Sequence, residues 1–238
     1  MRPHTTASGI CFMKHPLCLL ACLAGAGVGS AAQAIDLSAS ATVVSDYRFR
    51  GISNSGKDPA LQIDLSASHE SGFYVGAWGT NIDLFNDGPD IELDVYAGWS
   101  GDIAPGVTLD ANLTRYGYPG VAGTTDYVEG LASIAFTLGP VGAKLGGGYF
   151  PDQKATGDDG SYVFGEISRE APGSVTLTGH LGRQWFGAGY GMADYWEWSV
   201  SATRSFGPIE AGIAYVDTSL PKGNMAGATV VASIGISF

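Results

Sequence analysis

Residues 226–238, Ala-Gly-Ala-Thr-Val-Val-Ala-Ser-Ile-Gly-Ile-Ser-Phe, close the chain, and their reading decides the fold. Counting back from the end, Phe238, Ile236, Ile234, Ala232, Val230 and Ala228 alternate with Ser237, Gly235, Ser233, Val231 and Thr229. Successive side chains of a strand point to opposite faces, so one face here is apolar and the other small and mostly polar. One such strand fits a half-buried soluble sheet as well as a barrel in lipid. The choice rests on whether the pattern recurs.

It recurs along the whole chain. Residues 36–50 set Leu37, Ala39, Ala41, Val43, Tyr47 and Phe49 against Ser38, Ser40, Thr42, Asp46, Arg48 and Arg50. Leu61, Ile63, Leu65 and Ala67 then alternate with Gln62, Asp64, Ser66 and Ser68, and Ile91, Leu93, Val95, Ala97 and Trp99 with Glu92, Asp94, Tyr96 and Gly98. Val107, Leu109, Ala111 and Leu113 oppose Thr108, Asp110, Asn112 and Thr114. Further strands are predicted at 73–83, 127–138, 141–150, 162–170, 175–184, 195–206 and 209–217. With 90–100 as the fourth and 226–238 as the last, this makes about twelve. Faces are hardest to assign between 141 and 184, where Gly is dense. Strands of roughly 10 to 12 residues suit a tilted crossing of a hydrocarbon layer.

The connections carry a second signal. Those after odd-numbered strands are mostly long and polar, whereas those after even-numbered ones are tight, as at Gly139-Pro140, Ala171-Pro172-Gly173 and Gly207-Pro208. Bacterial outer-membrane barrels have this asymmetry, with short turns on the periplasmic side. Rings at strand ends complete the pattern. Tyr47, Phe49, Tyr116, Tyr149, Phe150, Tyr195, Trp196 and Tyr215 are expected in an outer aromatic belt, and Phe73, Tyr74, Trp99, Phe136, Phe206 and Phe238 in an inner one. The competing arrangement is a soluble sandwich with core aromatics near strand ends; apolar alternation over so many segments favours an all-β, antiparallel up-and-down transmembrane barrel.

Ahead of it, Arg2, Lys14 and His15 precede an apolar stretch at 17–28 and then Ala32-Gln33-Ala34, the layout of a cleaved export signal. Cleavage is expected after Ala34, leaving 35–238 as one domain, and translation can start at Met1 or Met13. Leu19-Leu20-Ala21-Cys22 looks like a lipoprotein box, but the apolar core runs on past Cys22. Cys11, Cys18 and Cys22 all lie in the removed segment, so the mature chain offers no disulfide, thiolate metal site or thiol nucleophile. Loss of Arg2 and Lys14 takes the formal charge from −11 to −13, since no acid precedes Asp36. That balance argues against nucleic acid as a partner, because phosphate binding rests on Lys and Arg. No apolar run beyond the signal approaches the roughly 18 residues of a spanning helix, so any crossing is made by a closed barrel.

Ser45-Asp46-Tyr47-Arg48-Phe49-Arg50-Gly51-Ile52-Ser53, followed by Asp58-Pro59-Ala60-Leu61-Gln62, resembles the TorF-type porin family of Gram-negative bacteria. The likeness continues through His69-Glu70-Ser71-Gly72-Phe73-Tyr74 and Trp78 to Asn81. What the resemblance implies is an exported outer-membrane barrel with a pore function and no catalytic residues. Phe238 looks like the terminal aromatic by which the outer-membrane assembly machinery recognises its clients.

In a barrel the polar face lines the lumen. There it holds Asp46, Arg48, Arg50, Asp64, Glu92, Asp94, Asp110, Glu129, Lys144, Glu197 and Glu210. Acids outnumber bases, so a water-filled lumen passing small solutes or ions is expected to favour cations. Two arrangements fit Arg48 and Arg50: a basic ladder in an open pore, or pairing with carboxylates of other strands as a plug. In the second case the barrel is closed, with a structural or binding role. His69 and His180 are the only histidines beyond the signal, and neither stands in a Ser-containing catalytic phrase. Gly187-Ala188-Gly189-Tyr190-Gly191 opens no helix and is expected to be an outer loop rather than a phosphate cradle. Asp152 and Asp158-Asp159-Gly160 match no calcium-loop spacing and form a solvated acidic tip. No cofactor or metal is expected.

Overall fold

The computed structural model describes residues 35–84, 91–223 and 225–238. The strands are β1 (Ile35–Val44), β2 (Arg48–Phe49), β3 (Ile52–Ser53), β4 (Ala60–His69), β5 (Phe73–Asn81), β6 (Ile91–Ala104), β7 (Val107–Tyr116), β8 (Tyr127–Leu138), β9 (Val141–Phe150), β10 (Gly160–Ala171), β11 (Val175–Phe186), β12 (Tyr195–Phe206), β13 (Ile209–Thr218) and β14 (Thr229–Ser237). All but β2 and β3 form one closed antiparallel barrel of twelve strands, each beside its sequence neighbour, with β1 returning onto β14. β2 and β3 are a separate hairpin between β1 and β4.

Burial settles which face points outward and which into the lumen. Leu37, Leu65, Val75, Leu113, Ile167, Val200, Ile213 and Val230 point outward, and each is more than half exposed. Asp64, Glu92, Asp94, Asp110, Thr114, Glu129, Gln184 and Glu197 point inward and are buried. This inverts a soluble sandwich, whose strands would bury the leucines and expose the acids. An apolar exterior on every strand demands a hydrocarbon solvent, and a closed ladder leaves no unpaired edge within it. Among the described residues no helix is long and apolar enough to cross a membrane.

Closure rests on the segment that ends the chain. β14 aligns with β1 from Ser40 opposite Ser237 to Val44 opposite Ser233, five pairs, whereas β1 and β4 pair all along from Ile35 to Val44. Phe238 adds two backbone bonds beyond the strand, its N–H to the Ala39 carbonyl at 2.8 Å and its carbonyl from the Ala39 N–H at 3.2 Å.

Three expectations need correction. The first strand ends at Val44 and not at Arg50, because the chain leaves the wall after Ser45. Asp46, Arg48 and Arg50 therefore do not line that strand, and Tyr47 and Phe49 are not in the lipid belt. Tyr47 is 2% exposed, packed against Trp78 inside the barrel with ring centroids 5.4 Å apart. Secondly, Tyr116, Phe150 and Tyr195 also point inward and are buried; Tyr149, Trp185, Trp196 and Tyr215 are the rings that face out at this end. Tyr74, expected in the inner belt, points inward to Asp110, while Phe73, Phe206 and Phe238 are strongly exposed at the tight-turn end. Thirdly, several boundaries move: β10 starts at Gly160, β11 runs to Phe186, and residues 226–228 precede β14. The export signal at 1–34 and the first residue of the expected fourth strand, Asp90, lie outside the described residues.

At the long-loop end, residues 151–159 and 187–194 are tied by Asp158, whose carboxylate accepts the Gly189 and Asp159 N–H groups at 2.8 Å each. Those bonds, chiefly that from Gly189, hold its pKa below the usual aspartate range. Gly187-Ala188-Gly189-Tyr190-Gly191 forms a 3-10 turn in this region, at residues Ala188–Tyr190.

Candidate functional site

Where β1 ends, Ser45 takes over the ladder. Its N–H donates to the Ala232 carbonyl and its hydroxyl accepts the Ala232 N–H, both at 2.9 Å. The chain then turns into the lumen, and Asp46 organises the hairpin there. Its carboxylate accepts from Arg48 Nε at 2.7 Å and from Ser53 Oγ at 2.6 Å, bracketing β2 and β3. Arg48, 1% exposed, also donates through Nη1 to the Gly51 carbonyl at 2.9 Å and to the Gly227 carbonyl at 2.8 Å. The Ser53 N–H reaches the Met225 carbonyl and the Asn54 carbonyl accepts from Asp83 N–H, so the hairpin is fastened to two loops as well as to itself.

Arg50 and Gly51 make the turn, with φ of 47° and 82°. Both central residues at positive φ is the type I′ pattern that matches strand twist. Gly51 lies so close to the wall that a Cβ there would sit 2.4 Å from Thr218 Cγ2. The hairpin thus crosses the long-loop end of the lumen: Tyr47 meets Trp78 of β5 and Glu92 of β6, while the tip meets β8 and β10 to β13.

At the tip the Arg50 guanidinium donates through Nη2 to both Glu129 oxygens, at 2.7 and 2.8 Å, and through Nη1 to Gln184 Oε1 at 2.7 Å. Its Cζ lies 4.1 Å from the Tyr162 ring centroid and 4.7 Å from that of Phe49. Tyr162 carries the network onward. Its hydroxyl donates to Glu197 Oε1 at 2.5 Å, and His180 Nε2 lies 2.6 Å from the same oxygen with Nδ1 3.2 Å from Glu166. His180, weighed from sequence as a catalytic base, is engaged by two carboxylates and a phenol.

The interior acids share a device that the sequence did not expose. Asp64 accepts from Tyr96, Glu92 from Tyr47 and Tyr118, Asp110 from Tyr74, Glu129 from Tyr116 and Glu197 from Tyr162. A neutral phenol satisfies a carboxylate without cancelling its charge. Tyr118, in the loop after β7, is pushed well above the usual tyrosine range, first by burial and then by Glu92, so it stays a donor. Among the described residues Glu129 is ion-paired by Arg50 and Asp46 by Arg48, and Glu197 lies beside His180. Lys144 lies over the Phe164 ring at 5.6 Å, Asp94 is buried, and Glu210 stands near the tight-turn end within 3.5 Å of Ser205.

Gln184, Tyr162, Tyr116, Glu166 and His180 were missed as interior groups. Strand parity would have found them, since Tyr116 shares a face with Asp110 and Thr114, and Gln184 with His180.

Comparison with known proteins adds a fold and a family. The solved KdgM porin in complex with disordered oligogalacturonate is similar over 85% of this chain and 97% of its own, at 8% identity and a TM-score of 0.56. The NanC porin is similar over 85% and 99%, at 11% identity and a TM-score of 0.56. At such identities the likeness shows the shared barrel alone. Comparison with curated proteins gives no match. A family model, described as bacterial protein of unknown function (Gcw_chp), matches residues 29–236. The chain belongs to that Gcw_chp family.

Proposed function

We propose that the chain is a porin-like channel of the Gram-negative outer membrane, of TorF type, passing small solutes passively and favouring cations. The observation that carries this reading is that three interior carboxylates, Asp64, Glu92 and Asp110, are satisfied by tyrosine hydroxyls. Charge kept in a narrow polar lumen draws counter-ions and repels anions. The barrel shared with two porins supports it. The removable signal at 1–34 and assembly through Phe238 belong to the same reading, as do lipid contact outside and the lack of catalysis.

The hairpin across the lumen favours a second reading, a closed barrel with a structural or binding role. Planar-bilayer recording separates the two. With folding shown by a heat-dependent gel shift, the channel gives conductance steps and a reversal potential of cation sign in a KCl gradient. A folded barrel without steps supports closure, and an anion-sign potential removes the cation preference.

A further inference from the structure

The socket that holds Arg50 is a finished binding site whose occupant happens to be part of the chain. Gln184 is oriented by its own amide: Nε2 donates to the Ser161 carbonyl at 3.1 Å and to the Trp185 carbonyl at 3.0 Å. Its Oε1 is thereby left facing the lumen as an acceptor. Glu129 is held by the Tyr116 hydroxyl at 3.0 Å and is fully buried. Tyr162 supplies a ring face, fixed by its bond to Glu197. All of these stand on wall strands, β8, β10 and β11, while Arg50 comes from an inserted hairpin. Three fixed acceptor oxygens beside an aromatic face suit one ligand shape, a planar cation with N–H donors at its edge.

The turn points the same way. At φ 47° an arginine is strained where Gly, Asn or Asp would close the hairpin more easily. The side chain, not the turn, explains an arginine at this position.

We propose that Glu129, Gln184 and Tyr162 form a site for the guanidinium group of a diffusible, singly substituted guanidine, and that Arg50 is its tethered resident. A free guanidinium and the seated hairpin tip compete for the same oxygens, so ligand binding unlatches the plug. The link to passage rests on the channel reading; the binding site does not.

The test uses full-length refolded Arg50→Gly and Arg50→Asn, both compatible with positive φ, titrated with methylguanidinium by calorimetry. Saturable binding is expected in whichever variant folds, with wild type at least about tenfold weaker because the tethered resident competes. Adding Glu129→Gln to the variant weakens binding at least about tenfold. Ammonium at equal concentration does not compete. No binding by a folded variant overturns the site, as does equal binding by wild type, equal binding after Glu129→Gln, or equal competition by ammonium. Binding without any bilayer current in wild type or variant overturns the channel reading and leaves the site standing; current without binding does the reverse.

Discussion

Tyr162 joins three groups at one point: its ring lies under Arg50, and its hydroxyl reaches Glu197 at 2.5 Å and His180 at 3.1 Å. Gly182 makes the room, since a Cβ there would stand 2.2 Å from Glu197 Oε1 and 2.4 Å from the Tyr162 hydroxyl. Tyr162→Phe keeps the ring and loses the donor, and is expected to destabilise the barrel by about 1–3 kcal/mol. The urea midpoint of unfolding from micelles checks this; an unchanged midpoint means that water replaces the phenol. At this scale the sequence was half legible. Parity placed Asp64, Glu92, Asp110, Glu129 and Glu197 inside, because a period of two is imposed by the backbone. It would have placed Tyr116, Phe150 and Tyr195 inside too. Their position at strand ends suggested a belt instead, and at the water boundary an amphipathic ring suits either face.

Among the elements, the hairpin is what sequence periodicity hid. Alternation from Leu37 through Arg50 lapses only at Val44 and Ser45, so a wall strand and an inserted strand read as one. Length held the missed clue: fifteen residues exceed the 9–11 or so that a tilted crossing uses, and the wall portion has ten. Arg50-Gly51 is also a weaker turn signal than Asn-Gly or Asp-Gly. Its destination could not be read, since contacts with Glu129 and Gln184 depend on the whole circumference. Replacing residues 47–55 by a short Gly-Ser linker is expected to leave the barrel folded, because the twelve wall strands pair without it. Conductance should rise at least about twofold as the cross-section clears. Unchanged conductance in bilayers would show that the constriction lies elsewhere.

For the whole molecule, the inside-out distribution of charge was legible early. It derives from alternation plus loop asymmetry, and neither depends on tertiary detail. The twelve strands and their up-and-down order emerged as expected, while the Gly-rich stretch from β9 to β11 resolved only when Leu145, Val163, Ile167, Leu177 and Leu181 proved to face out. Phe238 combines exposure with a two-bond exchange to Ala39 at the closing seam. Deleting it is expected to lower outer-membrane amounts in cells severalfold while protein refolded in vitro conducts as before. Equal loss in both settings would make its role structural and not a signal.

The short β1–β14 seam carries an implication for timing. The hairpin leaves the wall beside that seam, and two of its anchors, the carbonyls of Met225 and Gly227, belong to the last loop of the chain. A segment emerging among the earliest therefore waits for the latest before it can settle. Until the final strand docks, the first loop lacks those two anchors, whatever hold it has on Trp78, Asp83, Glu129 and Gln184. Full seating of the hairpin is therefore expected to be the last event of assembly, and hydrogen exchange during refolding would read it as protection gained at Ser53 after the wall amides; protection gained before or with them would overturn that order.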